Sequence, residues 1–214
     1  MPNIEQSQTI IKKDGLIAIL RGDFPMDTIF KIAEAVGQAG VPILEVTLNS
    51  QGALAAIRSL RERFGRQGML IGAGTVRTAE QVDQAIGAGA QFIVAPNFEP
   101  AAVARSIGQD ILHLPGVFTA SEAHNAAAAG CRMLKLFPSD AVGPAYLKAL
   151  RAPLNDIDFV PTGGIHAGNV ADYVRAGAVA LGIGSALISG PNQSLAEIAT
   201  RAKALRLAWE QAHA

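Results

Sequence analysis

Eight short apolar runs alternating with stretches of helical spacing predict a (β/α)8 barrel for this 214-residue chain. A recurring signature supports the count. A helix ending in a small residue plus glycine, followed by an apolar strand, stands at Ala39-Gly40-Val41, Ala88-Gly89-Ala90, Ala129-Gly130-Cys131 and Ala176-Gly177-Ala178. Glycine there suits a left-handed helix C-cap that turns the chain back into the sheet. The runner-up, an open doubly wound sheet, needs two edge strands, and edge strands are usually more polar than any of these runs. Half of the residues are apolar and no linker or low-complexity tract interrupts them, so residues 1–214 are expected to form a single domain around one core.

In chain order, residues 3–14 read as an extra helix across the barrel floor. Leu16–Leu20 is wholly apolar and too short for a helix, so it reads as the first strand. Thr28–Ala39 then mixes Ala, Ile and charged residues at helical spacing, and Ile43–Thr47 returns to strand character, apolar except for Glu45. The same switch of period recurs: helix Ala53–Phe64 and strand Met69–Ile71, helix Ala79–Ile86 and strand Gln91–Ala95, helix Ala101–Ile107 and strand Ile111–Leu114. Helix Ser121–Ala129 leads into Met133–Phe137, a run closed by Pro138, and strands Asp158–Pro161 and Val179–Gly182 follow. Residues 194–213 read as a long closing helix.

Charge excludes several partners. Eighteen acidic residues balance eighteen basic ones, with no basic stripe, so neither nucleic acid nor anionic membrane is an expected partner. No window of about 20 residues is free of charges and breakers, and Met-Pro-Asn-Ile-Glu-Gln lacks the layout of a signal peptide, so a cytoplasmic protein is expected. Cys131 is the only cysteine, which rules out an internal disulfide and a cysteine zinc site; it reads as a small core residue. His113, His124, His166 and His213 offer no i, i+4 metal pair, and no metal is expected.

The chemistry of a barrel sits at the C-terminal ends of its strands. Lys135 lies inside Met133-Leu134-Lys135-Leu136-Phe137-Pro138 and Glu45 inside Ile43-Leu44-Glu45-Val46-Thr47. A buried ammonium loses several kcal/mol or gives up its proton, and a lysine lowered to roughly pKa 7 to 8 becomes an amine that attacks carbonyls. A buried carboxyl beside it would shuttle the protons of imine formation; the alternative is a structural ion pair between the two. The turns at Gly163-Gly164 and Gly184-Ser185 let backbone N–H groups approach an anion, helped by a short helix starting near Gly184-Ser185-Ala186, or need glycine for geometry alone. Arg21 is placed to grip a phosphate or carboxylate bidentately, or to make a surface pair. Thr75, after Gly72-Ala73-Gly74, offers a hydroxyl to a small carboxylate, or caps a helix.

Ile17-Ala18-Ile19-Leu20-Arg21-Gly22, Glu45-Val46-Thr47-Leu48-Asn49-Ser50, Gly72-Ala73-Gly74-Thr75-Val76, Lys135-Leu136-Phe137-Pro138, Pro161-Thr162-Gly163-Gly164-Ile165 and Gly184-Ser185 together resemble the bacterial 2-keto-3-deoxy-6-phosphogluconate and 2-dehydro-3-deoxy-6-phosphogalactonate aldolases. The resemblance implies a metal-free, cofactor-free class I aldolase, commonly a homotrimer, that cleaves a phosphorylated keto-deoxy acid to pyruvate and D-glyceraldehyde 3-phosphate. By it, Lys135 is the Schiff-base lysine, Glu45 the general acid/base and Thr75 a contact of the pyruvate carboxylate. Arg21, Gly163, Gly164, Gly184 and Ser185 surround the sugar acid and its phosphate, and Asn49, Pro96, Phe137 and Thr162 complete the substrate contacts. Asn49 stands where the gluconate branch usually has arginine, which points to the galactonate branch, whereas Pro161-Thr162-Gly163-Gly164 resembles the gluconate branch. Isomerases and thiamin-phosphate-type synthases share the two glycine turns but do not require Lys135 and Glu45. A non-catalytic sugar-phosphate sensor is the third reading.

Overall fold

The computed structural model describes residues 1–214, and every strand pair in it is parallel. Helix α1 (Ile4–Asp14) precedes β1 (Leu16–Leu20). Then come α2 (Met26–Gln38), β2 (Ile43–Thr47), α3 (Ala53–Phe64), β3 (Leu70–Gly74), α4 (Ala79–Gly87), β4 (Phe92–Val94), α5 (Pro100–Ile107), β5 (Leu112–Leu114) and β6 (Gly116–Val117). The chain continues through α6 (Ala120–Ala128), β7 (Met133–Leu136), α7 (Gly143–Arg151), β8 (Asp158–Pro161), α8 (Val170–Arg175), β9 (Leu181–Ile183) and α9 (Leu195–His213). The expected helix-ending glycines do take left-handed backbone, with φ of 84° at Gly40, 97° at Gly89, 99° at Gly130 and 95° at Gly177.

The strands form a six-stranded sheet in the order β5-β4-β3-β2-β1-β9 and a three-stranded sheet in the order β6-β7-β8. The expected fifth run, Ile111–Leu114, is β5, and beyond Pro115 a further short strand not expected from the sequence, β6, belongs to the second sheet. Proline has no N–H to continue a ladder, while its carbonyl accepts from Lys135 N at 3.0 Å, so the chain leaves β4 and joins β7 there. At the opposite seam a lone parallel bridge joins Thr162 to Gly182. The third strand runs to Gly74 rather than stopping at Ile71, because Gly72 and Gly74 carry no side chain in the way of Phe92 and Glu45. The last strand begins at Leu181, two residues later than expected, since Ala178 is still bonded to Tyr173 of α8. Helices α7 and α8 fall in stretches to which the sequence assigned none: α7 opens on Gly143-Pro144, which reads as a turn, and α8 is too short to display a period.

Period-two alternation sorts the apolar side chains into two clusters. Leu16, Ala18, Leu44, Val46, Ile71, Ala73, Leu134 and Leu136 pack outward against the helices. Ile17, Ile43, Leu70, Phe92, Leu112, Met133, Val160 and Ala180, from both sheets, pack on one another, and Ile11 of α1 joins them. Helix α1 thus covers the N-terminal end of this inner cluster, held by an Asn3–Gln6 capping box and by Gly15 at its C-cap. Further along the same inward-facing positions the residues are no longer apolar: Glu45 follows Ile43, Lys135 follows Met133, and Thr162 follows Val160. No helix is long and apolar enough to cross a membrane.

Candidate active site

Lys135 and Glu45 are 3% and 2% exposed, on β7 and β2. Neither makes an ion pair within 4.0 Å, so the structural ion pair does not form. Burial raises the Glu45 carboxyl above its ordinary range, against the opposing pull of Lys135 and Arg21. Burial lowers the Lys135 amine; Glu45 opposes this and Arg21 reinforces it. Both groups are pushed toward their neutral forms, the state in which an amine is nucleophilic and a carboxylic acid can donate a proton. Glu45 Oε1 has no hydrogen-bond partner, and Lys135 Nζ lies 4.8 Å from the centroid of the Phe137 ring.

Phe137, the neighbour of the Lys135 amine, also lines a cavity of about 270 Å³ at the C-terminal ends of β1, β7, β8 and β9, whose lining includes neither Lys135 nor Glu45. Arg21, Phe137, Thr162, Gly163, Gly164, Gly184 and Ser185 line it, joined by Ile19, Ile165, Ala186, Ile188 and Ser189. Arg21 makes no ion pair and no hydrogen bond, so the surface-pair alternative fails and its guanidinium is available to the cavity. Its backbone neighbours are pinned: Thr47 Oγ1 donates to Leu20 O at 3.4 Å, and Gly22 N donates to Ser50 Oγ at 2.9 Å.

The glycine turns divide between the two readings. Gly163 and Gly164 have φ of 99° and 67°, so geometry demands glycine there. At Gly184 φ is not positive and a Cβ would meet nothing within 4 Å, so neither backbone nor packing demands it. The N–H groups of Gly163, Gly164, Ile165, Gly184, Ser185 and Ala186 donate no backbone hydrogen bond. The short helix expected near Gly184 is a single turn in which Leu187 N and Ile188 N both donate to Gly184 O, at 2.9 and 3.0 Å. The chain leaves helical geometry after that turn, so the cavity is lined here by residues with free backbone N–H groups rather than by the end of a regular helix.

Three expected contacts lie elsewhere. Asn49 is exposed in the turn after β2, and Pro96 is half-buried beyond β4, where its carbonyl abuts Gly116. Thr75 is half-buried with φ of 58°, a left-handed backbone that costs a β-branched residue about 1–3 kcal/mol and marks functional or over-determined positions. It caps no helix, since Thr78 does so for α4. Ser139, the polar residue that follows Pro138 at the end of the Lys135 run in the sequence, donates its hydroxyl to Leu136 O at 2.8 Å and accepts from Thr162 N at 3.1 Å, tying the loop after β7 to the end of β8. Ile19, a lining residue the sequence did not single out, could have been found by counting two residues back from Arg21 along the inward face.

His113 stands apart from the site. It alternates with the inward Leu112 and Leu114, its Nδ1 is 2.9 Å from Ser106 Oγ, and burial drives its pKa down to about 4. No group of three or more His, Cys, Asp or Glu side chains is arranged to hold a metal ion. Burial pushes the Cys131 thiol up to about 12, in keeping with a core residue.

A sequence model of the KDPG and KHG aldolases matches residues 7–200. The 2-dehydro-3-deoxy-6-phosphogalactonate aldolase of Escherichia coli K12 is 40% identical over 198 residues, 92% of this chain and 95% of that protein. The 2-dehydro-3-deoxy-phosphogluconate aldolase of Treponema pallidum is 40% identical over 166 residues, 77% of each chain. A KDPG aldolase from Legionella pneumophila, solved with pyruvate captured as a covalent carbinolamine intermediate, superposes with a TM-score of 0.82 at 27% identity, over 97% of this chain and 98% of that one. A lysine and a glutamate buried beside a cavity rimmed with free N–H groups, on a scaffold shared with these enzymes along nearly its whole length, mean that the chain belongs to the KDPG and KHG aldolase family.

Proposed function

We propose that this chain is a class I aldolase that cleaves a 2-keto-3-deoxy-6-phospho sugar acid to pyruvate and D-glyceraldehyde 3-phosphate through an imine on Lys135. The observation that carries the reading is the pair of buried, hydrogen-bond-poor groups, Lys135 and Glu45, each shifted toward neutrality beside the cavity. The Lys135 Nζ lone pair adds to the C2 ketone, and the oxygen takes up a proton to give a carbinolamine, the kind of species captured in the Legionella relative. Glu45 then supplies the proton with which water leaves. In the protonated imine, the carboxylate left on Glu45 takes the C4 hydroxyl proton, the C3–C4 bonding electrons move to nitrogen, and glyceraldehyde phosphate is released, leaving a neutral enamine and a reprotonated Glu45. Protonation of the enamine carbon by Glu45 and hydrolysis release pyruvate. The lysine itself is the electron sink, so the reading calls for no metal or cofactor.

In the same reading Arg21 and the free N–H groups of the Gly163-Gly164 and Gly184-Ser185 turns bind the phosphate, and Gly184 serves close approach of that anion. Thr75 receives the pyruvate carboxylate, and Phe137 and Thr162 line the sugar acid; Asn49 and Pro96 lie outside the cavity lining. Because Asn49 brings no charge, the C4 epimers are read loosely, with a modest galactonate preference. The inner cluster shared by both sheets, the continuity through Pro115 and the Thr162–Gly182 bridge support a closed (β/α)8 barrel in a single domain. A cytoplasmic homotrimer completes the proposal.

Borohydride reduction in the presence of pyruvate, followed by intact mass and peptide mapping, tests it. A stable adduct on Lys135 is expected; a folded protein that forms none at neutral pH overturns the reading.

A further inference from the structure

Three inward-facing glycines leave room for a neighbour's side chain. A Cβ at Gly72 would lie 2.5 Å from the Phe92 ring, and one at Gly182 would lie 2.4 Å from Thr162 Oγ1. At Gly74 a Cβ would lie 1.8 Å from Glu45 Oε1, 2.5 Å from Cδ and 2.7 Å from Cγ. All of these are closer than real Cβ atoms approach. The first two overlaps concern packing; the third falls on the candidate acid/base.

At Gly74 the side chain, not the backbone, would have to yield. Its φ is not positive, so alanine suits the conformation and the substitution probes space alone. Gly74 pairs with Thr47 in the β2–β3 register, its carbonyl accepts from Leu48 N at 2.8 Å, and the strained Thr75 follows directly. The Glu45 carboxyl, by contrast, has an oxygen that no donor holds. Its place is set by the walls around it, and one of those walls is the bare face of Gly74.

We propose that Gly74 is a positioning residue for Glu45: the missing side chain lets the carboxyl group lie against the end of β3, in the place from which it moves protons for the Lys135 amine. This rests on the Lys135–Glu45 reading above. Glycine is demanded here by the reach of a residue on the adjacent strand, since neither a turn nor a left-handed φ calls for it.

The experiment first establishes that the parent protein traps pyruvate with borohydride and exchanges the methyl protons of pyruvate for deuterium, followed by NMR. Failure at this stage overturns the imine reading itself, whatever Gly74 does. With the parent active, Gly74→Ala should slow methyl exchange roughly tenfold or more, while KM for the keto acid stays within about threefold and trapping at saturating pyruvate persists. Glu45→Asp withdraws the groups at the Oε1 and Cδ positions and leaves only Cγ, 2.7 Å from the added Cβ, so adding Gly74→Ala to Glu45→Asp should cost clearly less exchange than the same change costs the parent. Exchange in Gly74→Ala equal to that of the parent, or the same loss in both backgrounds, overturns the proposal. Should Gly74→Ala not fold, Glu45→Ala/Gly74→Ala carries the test by thermal melting. It should fold and melt close to Glu45→Ala, and a double variant that also fails to fold places the clash elsewhere and overturns the proposal.

Discussion

Lys135 and Glu45 differ in what they need from their neighbours. Burial prepares the amine, while the carboxyl is shaped by the space around it. Replacing Lys135 with Met keeps the length and apolar character of the side chain and removes the nucleophile. Lys135→Met should therefore fold, shown by an unchanged circular dichroism spectrum, with essentially no cleavage. Turnover within about tenfold of the parent, against the 10⁶-fold or greater accelerations usual for enzymes, would show that no lysine imine is used. His113 makes a different use of burial. Its pKa falls from 6.5 to about 4 in the fold, so between those values the unfolded chain binds the proton and the native one does not. The stabilisation is complete above pH 6.5 and is lost as pH falls toward 4, an effect of about 3 kcal/mol. His113→Asn keeps a polar atom near Ser106 and should flatten this dependence. Urea midpoints across that range compare the two proteins, and equal slopes contradict the assignment.

At the scale of elements, α9 closes the fold by satisfying the ends of others. Arg206 Nε donates to Gly40 O at 2.7 Å, just past α2, and a terminal nitrogen donates to Asp14 O at 2.8 Å, at the end of α1. These carbonyls have no partner within their own helices, and a guanidinium fixed in one plane serves both. Charged hydrogen bonds of this kind contribute about 1.5–3 kcal/mol, so Arg206→Ala should lower the unfolding free energy by roughly that amount. Catalysis should survive, since Arg206 lies on the helix layer away from the cavity-lining residues. A denaturant midpoint unchanged from the parent would remove this role.

At the scale of the molecule, substrate choice tests how the strand ends act together. If the two glycine turns and Arg21 hold phosphate, the dephosphorylated keto-deoxy acid should lose orders of magnitude in kcat/KM, because remote binding energy no longer orients the reacting carbons. Gluconate and galactonate phosphates should both be cleaved, the galactonate form modestly better, and EDTA should leave both rates intact. Indifference to phosphate overturns the role of the turns, a strong gluconate preference overturns the reading of Asn49, and loss restored by a divalent metal overturns the lysine mechanism. All three come from parallel assays on one preparation.

Periodicity and residue chemistry are local, and they determined much: the parallel α/β class, the positions of nearly all strands, the helix-ending glycines, and Lys135 and Glu45 as charges inside apolar runs. Arg21 and both glycine turns were legible because they directly follow strands, whose C-terminal ends the topology brings together. Other features depend on contacts between residues far apart in the chain, which a run of side chains does not encode. Pro115 separates β5 from β6 because the two pair in different sheets, and Asn49 and Pro96 follow strands whose ends do not line the cavity. Gly74 stood in the sequence only as a residue leading into Thr75; the packed tertiary structure alone set Glu45 against it, because that contact depends on the register between β2 and β3 and on the direction each side chain takes from its strand.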